Sequence, residues 1–278
     1  MQITLNGCDI YYTVKGNPAG ETIFFIHGGP GMSDSRGDEA AFSALGDTYQ
    51  LVFMDNRGSG RSDIVPPYTH EQWISDIDAM RDYLGLDKII ILGGSYGGFL
   101  TLEYTLLYPD RVKAVILRDT AANQNHHHLS IDKALNSNLP GIDGTMLHRL
   151  FTGEVRSNAE FKEMMRAILR LYTVKEDKEA DGRQLENIYF HYETHNYAFS
   201  VNQKQYDVEA RLPEINVPVL ITVGVHDWVT PVECSDKLAA GIRNNTYIQF
   251  ENSGHSPHIE ENEAYMKEVR EFLKGCPD

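Results

Sequence analysis

The sequence predicts an α/β protein in which a parallel sheet lies between layers of helices and is interrupted by a mostly helical stretch. Three observations carry this reading. Residues 1–120 alternate short apolar runs with amphipathic segments, the rhythm of βα units. Between 121 and 213 the rhythm stops, and no clear strand pattern returns until 218–224. From there strand and helix signals alternate again to the C-terminal region. A chain of 278 residues suits one large domain carrying an insertion. The expected division is a core of 1–120 with 214–278 and a helical insertion of 121–213.

The elements follow in order. "ITL" (3–5) and "IYYTV" (10–14) read as two strands joined by a turn at Asn6-Gly7. "TIFFIH" (22–27) and "LVFMD" (51–55) are near-continuous apolar runs, as in strands buried on both faces. Ile74, Ile77, Met80 and Leu84 recur at helical spacing. "KIIIL" (88–92) and "VKAVIL" (112–117) are the next buried strands, with a helix expected from Tyr96 to Leu107 between them. "AANQNHHHLS" (121–130) is polar, and "FKEMMRAILRLY" (161–172) is helical. "PVLITVG" (218–224), "TYIQF" (246–250) and a last helix carrying Tyr265, Val269, Phe272 and Leu273 on one face complete the chain. Consecutive residues converge poorly on one ion, so His126, His127 and His128 are expected in a solvated loop and no metal is expected.

Composition removes several function classes. The net charge of −15 repels nucleic acid and anionic membranes, so neither is expected as a partner. Cys8, Cys234 and Cys276 are odd in number and far apart, which argues against a disulfide framework or a structural zinc. "MQITLNGCDIYYTVKG" has no basic or apolar leader segment, and no apolar run approaches the roughly 18 residues of a membrane span. A cytoplasmic location is expected.

The chemistry centres on "ILGGSYGGF" (91–99), a buried strand that ends in glycines around one hydroxyl. Gly93 to Gly97 fit G-x-S-x-G, the strand-to-helix elbow that exposes a serine nucleophile. The pattern alone is common; the strand before it and the helix after it make it specific. A serine nucleophile needs an oxyanion hole. "FFIHGGPGMS" (24–33) follows the third strand, where two glycines let backbone approach a substrate oxygen. The N–H groups of Gly29 and Tyr96 are the expected donors, with Gly28 the neighbouring alternative. It also needs a base: His255 in "FENSGHSPHIEE" (250–261) is favoured, with His258 as competitor. The expected acid is Asp227, in the turn after "ITVG", with Asp119 as runner-up. "MDNRGSGRSD" (54–63) is assigned no chemistry; Asp55 and Arg57 are expected to brace the loops through charge-assisted hydrogen bonds.

With "HGGPG", "DNRGSGRS", "GGSYGG", "GVHDWVTP" and "SGHSPH" in this order, the chain resembles the α/β-hydrolase superfamily over nearly its whole length. "HGGPGMS" with "GSYGG" resembles more narrowly the proline iminopeptidase group, which includes the tricorn-interacting aminopeptidase. The resemblance implies a mostly parallel eight-stranded sheet with flanking helices and an inserted helical cap. It implies a Ser95–His255–Asp227 triad, an acyl-enzyme, and release of N-terminal residues, often proline, from short peptides. No cofactor is implied. Such aminopeptidases hold the substrate amine with glutamates, and small members carry an acidic residue after the triad aspartate. Here Trp228 stands at that position. Glu193, in "HYETHNYAF" (191–199), is then the candidate for the amine, with Trp228 beside it. The alternative is a carboxylesterase or lactonase acting on a small apolar ester, which the aromatics Phe161, Tyr172, Tyr189, Phe190, Tyr192, Tyr197 and Phe199 would suit. A more remote alternative is a ligand-binding receptor on the same fold. Ser95 excludes chemistry that needs a carboxylate nucleophile at the elbow.

Overall fold

The computed structural model describes residues 1–175 and 178–277. β1 (Gln2–Leu5) and β2 (Cys8–Gly16) form a hairpin. Its two-residue turn places Asn6 at φ 47° and Gly7 at φ 73°, the left-handed pair whose twist matches the flanking strands. β3 (Thr22–Ile26), β4 (Gln50–Met54), β5 (Ile89–Gly94), β6 (Val112–Arg118), β7 (Val219–Gly224) and β8 (Asn245–Phe250) complete an eight-stranded sheet of order β1-β2-β4-β3-β5-β6-β7-β8. β2 runs antiparallel to β1 and β4; every later pairing is parallel.

The central strands bury both faces because side chains alternate along a strand. In β3, Phe24 and Ile26 enter one core, while Ile23 and Phe25 enter the other. α1 (Arg36–Phe42) contributes Phe42 to the second core. α2 (His70–Tyr83) and α3 (Tyr96–Leu107) cover the first. Ile74, Ile77 and Met80 form the buried stripe of α2 together with Trp73.

Between β6 and β7 the described chain is helical: α4 (His127–Asn136), α5 (Gly144–Thr152), α6 (Asn158–Ile168), α7 (Lys178–Asn187), α8 (Tyr192–Tyr197), a π-helical turn (Ala198–Asn202) and α9 (Gln203–Gln205). Local chemistry sets these ends. Asp143 caps α5 by accepting from Met146 N–H at 2.8 Å, and Ser157 caps α6 by accepting from Glu160 N–H at 3.1 Å. The helices share a core of their own around Leu147, Phe161, Met164 and Ile168, and Trp228 joins it from beyond β7. α10 (Val232–Gly241) packs on the first sheet face. After α11 (Pro257–Glu260), α12 (Asn262–Lys274) closes the second face with Tyr265, Val269 and Leu273. No helix among the described residues is long and apolar enough to cross a membrane.

Candidate active site

β5 ends at Gly94 and α3 begins at Tyr96, so Ser95 alone makes the turn, at φ 53° and ψ −127°. A residue with a Cβ avoids this region, at a cost of about 1–3 kcal/mol. Three hydrogen bonds hold it there. Ser95 N–H donates to Arg118 O at 2.9 Å, and Ser95 O accepts from Gly98 N–H at 2.9 Å and Thr120 Oγ1 at 2.8 Å. The glycines around it leave room: a Cβ on Gly94 would run into the Arg118 guanidinium, and one on Gly97 into the carbonyls of Ile26 and His27. As the first residue of α3, Tyr96 has an N–H with no intrahelical acceptor, and the positive end of the helix dipole adds to it.

The loop after β3 rests on this turn. A Cβ at Gly28 would lie 2.7 Å from Gly94 O and Ser95 Cβ, and 3.2 Å from Tyr96 N. Gly29 adopts φ 56°. The loop after β4 fixes it from behind. His27 Nε2 accepts from Asn56 N–H at 2.9 Å, so His27 Nδ1 carries the proton and donates to Gly28 O at 2.7 Å. Gly31 N–H donates to Ser59 Oγ at 3.0 Å. Asp55 and Arg57 brace separate ends of this second loop. Asp55 is paired with Arg61 at 2.8 Å and accepts from Ser35 Oγ at 2.7 Å, while Arg57 is paired with Asp76 at 2.7 Å in a buried bridge.

Asp227 lies in the turn beyond β7, fully buried. Its Oδ1 accepts from Val229 N–H at 2.7 Å and Thr230 N–H at 3.2 Å; its Oδ2 accepts from Thr230 Oγ1 at 2.8 Å and from His255 Nδ1 at 2.8 Å. His255 follows β8, and its backbone N–H donates to Tyr172 O at 2.8 Å. The Tyr172 ring meets the imidazole edge-on at 5.4 Å. Burial alone would lower the pKa of His255, but the Asp227 charge and hydrogen bond outweigh it and leave the imidazole above its ordinary value. Of the two candidate acids, Asp227 therefore makes the Nδ1 contact. Asp119 is close behind. An oxygen of Asp119, an oxygen of Asp227 and a ring nitrogen of His255 lie within 4.8 Å of one another. Asp119 Oδ1 accepts from Gly224 N–H at 3.0 Å, whereas Oδ2 is buried with no partner among the described residues. Burial and then the Asp227 charge push its carboxyl up to about 7. His258, the competing base, sits on α11 and lies 3.9 Å from Asp38 instead.

Ser95, Gly28, Gly29, Tyr96, His255 and Trp228 all line one cavity of about 210 Å³. The helices between β6 and β7 close it with Phe151, Ile168, Leu169, Tyr172 and Phe199. Of the aromatics singled out in the sequence, Tyr172 and Phe199 line the cavity; Phe161 is core, and Tyr189 is exposed. Trp228 is buried and stacks edge-on against Phe151 at 6.1 Å and Tyr172 at 5.7 Å.

Two expectations need correction. Glu193 does not line the cavity: its side chain is 62% exposed and faces His191 Nε2 at 3.5 Å, because α8 turns Thr194 and His195 inward instead. His126 and His127 are not in a solvated loop. Both line the cavity, with burial lowering their pKa values to about 4 and about 3, so both are neutral. Two carboxylates belong to the described wall, Asp34 and Asp38. The first is paired with Arg36 at 2.6 Å and the second with Arg118 at 2.8 Å.

The family described as "alpha/beta hydrolase fold" matches residues 21–262. The chain belongs to the α/β-hydrolase family. This hydrolase is 35% identical over 277 residues to "Proline iminopeptidase PfmaB" of Pestalotiopsis fici, covering 98% of each chain. It is 30% identical to "Proline iminopeptidase" of Saccharolobus solfataricus, covering 96% of this chain and 89% of that one. Among solved structures, the enol-lactonase of Burkholderia xenovorans LB400 superposes with a TM-score of 0.79 at 22% identity, covering 99% and 100% of the two chains; this likeness is one of fold.

In the hydrolase, the residues that sequence reasoning missed are those of the cavity wall: Phe151, Asp38, Arg118 and the two neutral histidines. None carries a local signal. Phe151 belongs to the apolar face of α5, and its place in the cavity wall depends on how the helices fold back across the sheet.

Proposed function

We propose that this hydrolase cleaves a small, neutral ester or lactone through a serine acyl-enzyme. Ser95 Oγ attacks the carbonyl carbon, and His255 Nε2 takes its proton. The hydrogen bond from Nδ1 to Asp227 supports this role, because it leaves Nε2 as the free base and stabilises the imidazolium that forms. The N–H groups of Gly29 and Tyr96 would receive the developing oxyanion. Collapse expels the leaving oxygen, protonated by His255. Water activated by the same histidine then attacks the acyl carbon and frees Ser95. Residues 121–213 act as a cap that closes the site and selects the acyl group.

The observation that carries the substrate class is the charge on the cavity wall. An α-ammonium beside the scissile bond needs a buried counter-charge. Both described carboxylates of the wall already face an arginine, Glu193 stands outside, and Trp228 occupies the position after Asp227. Aminopeptidase activity is the second reading, favoured by relatives that bear the name proline iminopeptidase, the two above among them. A parallel assay with a short-chain nitrophenyl ester, a small lactone and a proline arylamide separates them. The ester or lactone is expected to give the highest kcat/KM. Turnover of the arylamide alone would reverse the order of the two readings.

A further inference from the structure

The triad as written leaves one buried acid unused. Asp119 follows β6 at φ 46°, a positive value that few non-glycine residues adopt. It is almost fully buried, and one of its two oxygens is satisfied by Gly224 N–H. The other has no donor among the described residues, although such groups in folded proteins are nearly always paired. This oxygen belongs to a carboxyl group that shares a 4.8 Å cluster with Asp227 and His255. Charged groups acting on His255 are Asp227 and Asp119, which raise its pKa, and Arg118, which lowers it. His126 and His258 respond to the charge of His255 and are themselves held neutral by burial.

We propose that Asp119 is a reserve acid for His255, a positioning residue whose unpartnered carboxyl oxygen accepts the Nδ1–H when Asp227 is removed. This rests on the Ser95–His255–Asp227 reading. In the intact protein Asp227 holds the Nδ1–H, and Asp119, in its ionised form, adds a second negative potential beside the imidazolium that forms during catalysis. Without the Asp227 carboxylate, the imidazole loses its acceptor and keeps in the same cluster an acid with an oxygen in want of a donor. The chemistry of the replacement then decides the outcome. An amide at 227 fills the space and presents N–H to Nδ1, which forces the proton onto Nε2, the wrong tautomer for a base. A methyl group leaves the imidazole free to turn toward Asp119.

The test compares four variants on one activated ester. Asp227→Asn is expected to lose about 10⁴-fold in kcat. Asp227→Ala, although the larger deletion, is expected to keep at least about tenfold more activity than Asp227→Asn. Asp119→Asn alone preserves the acceptor for Gly224 N–H and is expected to cost about fivefold or less. Asp119→Asn combined with Asp227→Ala should fall to the level of Asp227→Asn, a coupling that two independent structural roles do not produce. The proposal is overturned if Asp227→Ala is no more active than Asp227→Asn, or if Asp119→Asn costs the same factor in both backgrounds. A near-wild-type Asp227→Asn would instead overturn the triad reading beneath it. Should Asp227→Ala not fold, the NMR titration of His255 in Asp119→Asn decides: its pKa is expected below the wild-type value, and an unchanged value overturns the proposal.

Discussion

The two walls of the cavity are built on different principles. The sheet side is polar and pinned. Ser95, His27, Asp55, Arg57, Asp227 and His255 each have named hydrogen-bond partners, and the loops that carry them are tied to one another across the strand ends. The helical side is mostly apolar and packed, with His126, His127, His195 and Gln203 as its polar members. Phe151, Ile168, Leu169 and Phe199 offer surface rather than partners, while Tyr172 O accepts from His255 N–H and Lys133 Nζ and Ser130 Oγ donate to the carbonyls of Asp227 and Val229. The difference teaches where each property of a hydrolase resides. Under the proposed mechanism, reaction chemistry needs fixed donors and acceptors and falls to the sheet side. Under the same proposal, substrate choice needs shape and falls to the helices, which can change without disturbing the reacting atoms.

Substitutions on the two walls should therefore separate rate from recognition. The largest effect is expected at the elbow: Ser95→Ala should lower kcat by about 10⁴- to 10⁶-fold with the melting temperature little changed. Activity near wild type on the best ester would break the comparison at its root. Next comes the bracing of the sheet side. Asp76→Ala strands Arg57 as an uncompensated buried charge, and denaturant unfolding should show a loss of about 3–5 kcal/mol. An Arg57→Lys variant with wild-type stability would contradict this account, because lysine cannot reproduce the forked contact to Asp76.

The pH profile sharpens the same wall. Because Asp227 holds His255 above the ordinary histidine value of about 6.5, the acidic limb of kcat/KM should have its midpoint above that pH and fall about tenfold per unit below it. The stability contribution of the same group runs the other way. It is fully present below the unfolded pKa and is lost as pH rises through the folded one. Urea midpoints of wild type and His255→Ala measured across this window would reveal it, and a difference independent of pH would contradict it.

On the helical wall the effects shrink. Phe199→Ala should raise KM for an apolar ester by about tenfold with kcat nearly unchanged, since it removes contact surface and no reacting group. An equal fall in kcat would place Phe199 in the reaction itself. The smallest effect is expected at Glu193. Its exposed carboxylate makes Glu193→Gln worth less than about 0.5 kcal/mol in stability and under about twofold in kcat/KM on any substrate.

The contrast between the walls also explains what the sequence discloses. The strands, the elbow and the order of Ser95, Asp227 and His255 are legible because each depends on a local pattern: an apolar run, a glycine-flanked serine, a turn after a strand. Asp227 and Asp119 both follow buried strands, so local pattern leaves both open, and only the 2.8 Å contact to His255 distinguishes them. The helical wall has no such signals. Glu193 and Thr194 are adjacent in a helix of 6 residues, too short for its apolar period to fix which side faces in. Three consecutive histidines look solvated in sequence, yet His126 is buried, with its Nδ1–H donating to Asn123 O at 3.0 Å. Long-range packing decides these positions.

The central claim is that this cavity takes a neutral acyl group rather than a free amine. The most direct measurement compares kcat/KM of the wild-type enzyme for matched substrates that differ only in acetylation of the α-amine, beside a short-chain nitrophenyl ester. With both wall carboxylates already paired, acetylation should change kcat/KM by only a few fold, and the ester should be the better substrate. A requirement for the free amine of about 10²-fold or more, equivalent to roughly 3 kcal/mol of a desolvated ion pair, would contradict the account.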